Sequence, residues 1–588
     1  MKLENIEETF ESAVQNHKKN NFKIAEKLYK KILSVNPDHF RSIFLLGSLS
    51  AQIKNLDSAK QLLQKAIQIN SNYAEAHYNL GNVLIELGEK QEAIICYKKA
   101  IQINPDNADA HNNLGNLLKE TGKDQEAIIC YKKAIQINPD NPDAHNNLGT
   151  IFQKSKDLQE AINYYEKAIQ LRPNFASAYN NLGLTFHELE EYQKAISSYD
   201  KAIEIKPEYA ETHSSLGKLF VQLGEFEKAI NCFEQTTKYE SENLIYFYTL
   251  NQLKKETLGP ELKNKIIKII NKDNCTKINL AYGNFLLSIY ALQEKNYEKE
   301  FDYLLKGHRY YFESNKEEFI NGVDYWLNVL PKTDKLVNLN KLNVNIKKEN
   351  YDIKPIFIVG VPRCGSTLIE KVIASGDKQV SEGEETGIFH SFAEDIISKS
   401  QLSILDINIL HSKIFEKYSQ KGLIQEKNDY TFTDKSLENF FYVGLIKEIF
   451  PKAKVIHCKR NTLSSIISII KNNLVEVPWA HSPEHILEYF NIYHNTIENF
   501  KKIFPNFIYE LKYEKFVNDP EIESKKLLKF CNLPWNNECL KFYKRKKLIS
   551  KTASNIQIRK AIYKDSINKY LPYKQFINKY GNKYSWFD

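Results

Sequence analysis

The chain has 588 residues, which is too long for one hydrophobic core, so its length predicts at least two domains. The net charge of +8 comes from the carboxyl-terminal part, where residues 351–588 hold 36 Lys and Arg against 27 Asp and Glu. Apart from a denser run over residues 541–564, these cations are scattered, so we expect an anionic ligand there and no nucleic-acid partner.

The remaining composition indicates a cytoplasmic protein. The first 30 residues are polar and charged, without the apolar stretch of a signal peptide, and no apolar window is long enough to span a membrane. The eight cysteines are dispersed, and Cys96 and Cys130 recur at one repeat position, which favours small buried side chains over a disulfide framework or a metal site. The abundance of Lys, Asn and Ile suggests an AT-rich, bacterial genome.

The amino-terminal part repeats itself every 34 residues between about residue 6 and residue 243. A small residue, a glycine, an aromatic residue and a proline each recur at a fixed position of the repeat. These positions are Ala25, Ala59, Ala93, Ala127, Ala161, Ala195 and Ala229; Gly47, Gly81, Gly115, Gly149, Gly183 and Gly217; Tyr29, Tyr97, Tyr131, Tyr165, Tyr199 and Phe233; and Pro37, Pro105, Pro139, Pro173 and Pro207.

These offsets resemble tetratricopeptide repeats, in which each pair of antiparallel helices buries its apolar face only against its neighbours. Seven such repeats within residues 1–243 imply an α-solenoid with a concave groove. Residues 244–350 are predicted to be a helical extension, with apolar residues at helical spacing over Leu280–Tyr311 and a polar linker at Leu339–Tyr351.

Asparagine recurs at a position of the repeat that packing does not require. We expect Asn79, Asn113, Asn147 and Asn181 to face the groove, where their carboxamides could hydrogen-bond the backbone of an acceptor protein or peptide. Simple duplication of a repeat with solvated asparagines explains the pattern equally well. The histidines at 77, 111 and 145 recur too widely to chelate one metal, so we interpret them as groove or packing residues.

From Lys354 onward, short β-branched runs alternate with helical segments, a pattern that predicts an α/β domain with a parallel sheet. The predicted strands are Pro355–Gly360, Lys454–Cys458 and Asn506–Leu511. The first strand leads into a loop, residues 360–367, with the spacing of a phosphate-binding P-loop. Ser366 replaces the lysine that a nucleoside triphosphatase or P-loop kinase needs, and Arg363 supplies charge instead, which favours a phosphosulfate donor.

Further motifs follow the loop in a fixed order: Gly383–Thr386, Asp434–Lys435, Phe450–Lys454, and Arg460 with Ser468. Together they resemble the sulfotransferases that use 3′-phosphoadenosine-5′-phosphosulfate (PAPS), in particular the protein-tyrosine sulfotransferases and bacterial proteins that fuse tetratricopeptide repeats to such a domain. The resemblance covers most of residues 354–580. It implies a sulfotransferase domain at 351–588 with PAPS as the donor and no metal.

The resemblance also assigns roles to individual residues. Glu385 is the expected catalytic base, with Glu384 as its rival, and Lys435 and Arg363 are expected to neutralise charge on the bridging oxygen. A solvated loop and a surface charge are the alternatives for these side chains. The expected donor contacts are Arg363, Cys364, Gly365, Ser366 and Thr367 at the 5′-phosphosulfate, Arg460 and Ser468 at the 3′-phosphate, and Ser554, Gln557 and Lys569 in a carboxyl-terminal segment that folds over the donor.

The leading hypothesis is therefore a PAPS-dependent sulfotransferase whose repeats recruit an acceptor or a partner protein. Two alternatives remain: a repeat scaffold with a degenerate nucleotide-binding domain, and a sulfotransferase acting on a glycan or a small molecule. The sequence leaves the acceptor open among peptide tyrosine, a glycan hydroxyl and a metabolite, and it leaves the oligomeric state open.

Overall fold

The computed structural model describes residues 3–254, 256–335, 353–376, 380–392, 407–424, 431–545, 557–562 and 567–587. Between Leu3 and Tyr239 the chain forms fourteen helices. They are α1 (Leu3–Lys18), α2 (Phe22–Val35), α3 (Phe40–Gln52), α4 (Leu56–Ile69), α5 (Ala74–Glu86), α6 (Lys90–Ile103), α7 (Ala108–Glu120), α8 (Asp124–Ile137), α9 (Pro142–Lys154), α10 (Leu158–Leu171), α11 (Ala176–Glu188), α12 (Tyr192–Ile205), α13 (Ala210–Leu223) and α14 (Phe226–Tyr239).

The repeated glycine and aromatic positions form one packing contact within each repeat. Gly81 on α5 faces the buried ring of Tyr97 on α6, and a Cβ at this glycine would lie 2.6 Å from Cε1 of that ring. Gly115 and Tyr131 repeat the arrangement at 2.7 Å. Since real Cβ atoms do not approach so closely, only glycine lets the two helices pack around the ring. The 34-residue pattern is thus the pattern of an α-solenoid, as the sequence predicts.

Contacts divide the chain into two compact units, Met1–Leu216 and Gly217–Asp588, so the helices after α14 belong to the same unit as the sheet. These helices are α15 (Leu244–Lys254), α16 (Pro260–Ile270), α17 (Lys277–Gln293), α18 (Tyr297–Ser314) and α19 (Lys316–Asp324), followed by a π turn (Tyr325–Val329) and a 3₁₀ helix (Leu330–Lys335). The predicted linker at 339–351 lies outside the described residues.

A buried polar cluster joins α18 to the carboxyl-terminal part of this second unit. The Glu300 side chain is 2% exposed, and its carboxylate lies 2.8 Å from Nζ of Lys471. The hydroxyl of Tyr573 donates to the same carboxylate at 2.6 Å, and the lysine Nζ lies 2.9 Å from that hydroxyl. The helical extension therefore shares its interior with the α/β part.

Four parallel strands form the sheet, in the order β2-β1-β3-β4. They are β1 (Ile356–Val359), β2 (Thr433–Asp434), β3 (Lys454–Lys459) and β4 (Ile508–Lys512). Three of them match the predicted strands within two residues at each end. The short β2 was not predicted, because two residues are too few to show a strand pattern. All four residues of β1 are buried, as expected for a strand inside a parallel sheet.

Helices surround this sheet in the remaining described segments. They are α20 (Ser366–Ala374), α21 (Ile407–Gln420), α22 (Val443–Ile449), α23 (Thr462–Ile470), α24 (Pro483–Ile503), α25 (Tyr513–Asn518), α26 (Pro520–Phe530) and α27 (Lys574–Gly581). Within the described residues, every helix is too short or too polar to cross a bilayer. Because the strands are parallel, the loops that follow all four of them meet at one edge of the sheet.

Candidate active site

The loop between β1 and α20, residues 360–365, is shaped like an anion-binding turn. Two of its residues have φ in the left-handed region, 69° at Arg363 and 101° at Gly365. Position 365 requires glycine for a second reason, because a Cβ there would lie 2.5 Å from Cδ2 of Tyr513. α20 begins at Ser366 without a side-chain cap. The first N–H groups of a helix point out of its amino-terminal end, which here faces the end of the loop. This end of the helix therefore favours an anion.

Two arginines connect the ends of β1 and β3. Arg460 directly follows β3, and its Nη1 donates to the carbonyl oxygen of Arg363 at 2.7 Å. Nε of Arg363 in turn donates to Oγ of Ser468 on α23 at 3.2 Å. The Arg460 guanidinium also lies 4.9 Å from the centre of the Tyr513 ring. Two guanidinium groups and a serine hydroxyl thus lie together at this edge of the sheet.

The two adjacent glutamates have different surroundings. Oε1 of Glu385 lies 3.2 Å from Nζ of Lys435, and the Glu385 side chain is 48% exposed while that of the lysine is fully buried. Oε1 of Glu384 lies 3.4 Å from Nζ of Lys371 instead. Only the backbone oxygen of Glu384 contacts Lys435, by accepting from its N–H at 2.8 Å. Of the two carboxylates, that of Glu385 is thus the one paired with Lys435.

Asp434, the last residue of β2, fixes the loop that carries these glutamates. Its side chain is fully buried and accepts hydrogen bonds from the hydroxyl of Tyr418 at 2.6 Å and from Nδ2 of Asn439 at 2.9 Å. It also accepts from the hydroxyl of Thr386, the residue after Glu385. Because these donors replace water around the carboxylate, Asp434 can stay buried and hold the loop against β2.

A cavity of about 350 Å³ lies where these groups meet, within the size range of small-molecule sites. Of the residues predicted to bind the donor or act in catalysis, six line it: Arg363, Gly365, Ser366, Thr367, Glu385 and Arg460. Lys435 and Ser468 do not line it but contact Glu385 and Arg363, which do.

The remaining predicted residues are placed as follows. The thiol of Cys364 is buried and hydrogen-bonded to that of Cys458, so only its backbone is available to a ligand. Gln557 begins a 3₁₀ helix at 557–559, and Ser554 lies outside the described residues. Lys569 is exposed and is not among the residues that line the cavity.

Several lining residues were not predicted from the sequence. Tyr513 directly follows β4 as Arg460 follows β3, so its position at the end of a parallel strand was a usable signal. Lys560 belongs to the basic run at 541–564. That run indicated an anionic ligand but not which of its residues would line the cavity. Asn473 and Glu476 lie in the turn after α23, where no sequence pattern marks them.

The repeat array has a polar cavity of its own, about 490 Å³ in size, with Asn113 and Asn147 in its lining. The predicted asparagines are half-buried, and each of their amide groups donates to the preceding repeat. These bonds run from Asn79 to Ser48 at 3.0 Å, from Asn113 to Asn82 at 3.1 Å, from Asn147 to Asn112 at 3.3 Å and from Asn181 to Asn146 at 3.1 Å. The asparagines therefore join neighbouring repeats, although each carboxamide has further donor and acceptor capacity.

The repeated histidines hold loops within the array. Nε2 of His77, His111 and His145 lies 2.9–3.0 Å from the backbone oxygens of Ser71, Pro105 and Pro139. This contact agrees with a packing role. No group of three or more His, Cys, Asp or Glu side chains is placed to hold a metal ion within the described part of the chain.

Comparison with known proteins agrees with this architecture. Residues 355–537 match the model of the sulfotransferase family. The TPR repeat model matches residues 81–122 and 115–156, the tetratricopeptide repeat model matches 140–208 and 174–239, and the model of anaphase-promoting complex, cyclosome, subunit 3 matches 18–100. The chain thus carries a tetratricopeptide array followed by a sulfotransferase-family domain.

An uncharacterized protein of Aquifex aeolicus (strain VF5) is 29% identical over 325 residues, which are 53% of this chain and 42% of that relative, so the chain spans less than half of its length. Among solved structures, MamA is 30% identical with a TM-score of 0.27, and the match covers 28% of this chain and 96% of MamA. YrrB, described as a TPR protein with an unusual peptide-binding site, is 25% identical with a TM-score of 0.28, and the match covers 31% of this chain and 95% of YrrB.

Proposed function

We propose that the protein is a PAPS-dependent sulfotransferase that transfers a sulfuryl group to an acceptor hydroxyl. The main support for this proposal is that the ends of all four strands lie close together. The anion loop after β1, Lys435 after β2, Arg460 after β3 and Tyr513 after β4 lie around or directly behind one cavity. Ligands of parallel α/β sheets bind at this edge.

The residues present fit a donor that is anionic at two ends. The N–H groups at the start of α20 and the guanidinium of Arg363 suit the 5′-phosphosulfate. Arg460, whose guanidinium lies over the Tyr513 ring, suits the 3′-phosphate. The hydroxyl of Ser468, the other group expected at this phosphate, accepts a hydrogen bond from Arg363. When bound, PAPS would supply the sulfuryl group and leave as 3′-phosphoadenosine-5′-phosphate.

Glu385 is placed to accept the proton of the acceptor hydroxyl, because its carboxylate lines the cavity and is reachable from solvent. Lys435 fixes the direction of this carboxylate and, in the role implied by the resemblance, neutralises charge on the bridging oxygen together with Arg363. Glu384 pairs with Lys371 and is not among the residues that line the cavity, which favours Glu385 as the base.

We further propose that the acceptor is a protein hydroxyl, with tyrosine as the first candidate, and that the repeat array recruits it. The array supports recruitment through a polar cavity that contains carboxamides able to bind a peptide backbone. The eight cysteines are free thiols, which suits action in the reducing cytoplasm.

Two measurements test the proposal. Calorimetry with 3′-phosphoadenosine-5′-phosphate should give a dissociation constant in the micromolar range, on the order of −8 kcal/mol. Mass spectrometry of cells with and without the gene should reveal which proteins gain sulfate. Absence of binding at millimolar ligand would overturn the donor assignment and favour a scaffold with a degenerate domain. Phosphate transfer from ATP would instead favour a kinase.

A further inference from the structure

Glu370 is a buried carboxyl directly behind the candidate catalytic pair. It lies on α20, and its side chain is 0% exposed. Oε1 accepts hydrogen bonds from the hydroxyl of Thr433 at 2.7 Å and from the N–H of Glu384 at 3.1 Å. Oε2 has no hydrogen-bond partner among the described residues, and it lies 4.0 Å from Nζ of Lys435. Since a buried acceptor without a donor costs free energy, its position calls for an explanation.

The position of Oε2 is explained by Lys435, whose ammonium lies between the carboxylates of Glu370 and Glu385. Oε1 of Glu385 is 3.2 Å away and Oε2 of Glu370 is 4.0 Å away, and the lysine side chain is fully buried. Burial alone would lower the pKa of Lys435, but the nearby carboxylates outweigh burial, so its pKa is raised. The lysine therefore depends on them for its charge.

The two carboxylates differ in what happens to them during the proposed reaction. Glu385 lines the cavity and takes the acceptor's proton, which forms its carboxyl O–H bond as the acceptor O–H bond breaks. From that moment Glu385 is neutral and no longer balances the lysine. Glu370 does not line the cavity and takes no proton from the acceptor, so its charge can persist.

We propose that Glu370 is a positioning residue that keeps Lys435 charged and in place while Glu385 holds the acceptor's proton. This inference rests on the proposed function, but it concerns a residue that no motif marks. In this role Glu370 acts through Lys435 and does not touch the reactants.

The support that Glu370 gives to Lys435 should depend on pH, because the Glu370 carboxyl is buried. Burial raises the pKa of Glu370 to about 7, against the opposing effect of Lys435 and Lys371, while Glu384 raises it further. The Thr433 hydroxyl and the N–H of Glu384 also face this carboxyl. Below pH 7 the wild-type carboxyl is therefore increasingly neutral and resembles a glutamine amide; above pH 7 it carries the charge that supports Lys435.

The first test is turnover of Glu370→Gln across about pH 5.5 to 9. We expect wild-type kcat to exceed that of the variant by roughly 10-fold at the alkaline end, as for other residues that orient a catalytic group, and the two to converge at the acidic end. The basic limb of the variant should also move to lower pH, because Lys435 loses a counter-charge. A wild-type to variant ratio that stays constant with pH would overturn the positioning role.

The second test needs no catalysis. All four tryptophans, at positions 326, 479, 535 and 586, lie in the second compact unit, so tryptophan fluorescence reports its unfolding in urea. Lys435→Met should lower the midpoint less in the Glu370→Gln background than in the wild type, because the two charges then disappear together. Additive effects would overturn the Glu370–Lys435 coupling. Coupling without sulfotransfer by the wild type would instead reject the proposed function.

Discussion

Nη1 of Arg460 donates a hydrogen bond to the carbonyl oxygen of Arg363, so the residue that follows β3 is tied to the anion loop that follows β1. The same guanidinium stacks on Tyr513, which follows β4. Arg460 thus connects the ends of β1, β3 and β4, and the affinity of a ligand that contacts Arg460 would depend on the positions of all three.

Replacing Arg460 with alanine should weaken binding of 3′-phosphoadenosine-5′-phosphate. A lost charge-assisted hydrogen bond is worth about 1.5 to 3 kcal/mol, which corresponds to roughly a 10- to 100-fold increase in the dissociation constant by calorimetry. Lys459→Ala is the matched control, since this neighbouring side chain is about half exposed and pairs with Glu510 at 4.0 Å. Equal losses in the two variants would show a general charge effect and contradict a specific contact.

Glu385→Gln should lower turnover by about 100-fold or more while leaving affinity for 3′-phosphoadenosine-5′-phosphate nearly unchanged, because a general base acts in the chemical step. The measurement is a sulfotransfer assay with a small phenol. Glu384→Gln is the control, as its carboxylate pairs with Lys371 rather than with Lys435. If the control loses turnover and Glu385→Gln keeps it, the two roles are exchanged.

Alanine at Asn79, Asn113, Asn147 and Asn181 together should reduce sulfation of acceptor proteins without changing transfer to a small phenol. Each lost hydrogen bond is worth about 0.5 to 1.5 kcal/mol, so the fourfold variant is needed. Since these amides also join repeats, circular dichroism must show that the array remains folded. Unchanged protein sulfation with a folded array would mean that the asparagines only stabilise the solenoid.

The control for this variant is alanine at Lys99, Lys133 and Lys167. These lysines also recur with the repeat, but they lie on the second helices and bond glutamines of their own helices at 3.1 Å. We expect their loss to leave protein sulfation within about twofold, because surface pairs contribute little.

Acid should destabilise the second compact unit through His308. This buried ring lies 3.0 Å from the ring of His481 and 2.7 Å from the carbonyl oxygen of Ile470, and burial lowers its pKa to about 4. Its contribution to the free energy of unfolding is therefore complete above its ordinary pKa of about 6.5 and is lost as the pH falls toward 4.

Replacing His308 with glutamine removes this titration. Between pH 7 and 4 the wild type should lose roughly 3 kcal/mol more than His308→Gln, measured by urea unfolding with tryptophan fluorescence. Equal losses in the two proteins would show that acid acts elsewhere.

The sequence predicts the solenoid well because its signal is a repeated steric contact. A glycine such as Gly81 and an aromatic ring such as Tyr97 recur at fixed spacing since each repeat needs the same close approach. Three of the four strands of the parallel sheet are similarly clear, because buried strands are apolar runs. In the repeats the pattern reflects packing between helices close in the chain, whereas in the strands it reflects only their own burial.

The site is only partly predictable, because it depends on which strand ends become neighbours. The anion loop and Arg460 stand in recognisable motifs, whereas Tyr513 reaches the cavity only through the position of β4 in the sheet. Glu370 is even harder to predict, since in the sequence it is one polar residue within a helix. Its contact with Lys435 joins positions 65 apart, a relationship that no local pattern encodes.

The buried cluster of Glu300, Lys471 and Tyr573 determines how the catalytic part can be isolated. A fragment that begins at residue 351 would retain the lysine and the tyrosine but lack the carboxylate between them. It would also expose the apolar faces of α17 and α18 to water. We therefore expect such a fragment to aggregate, and a fragment that begins just before α13, at about residue 207, to remain folded and monodisperse in gel filtration.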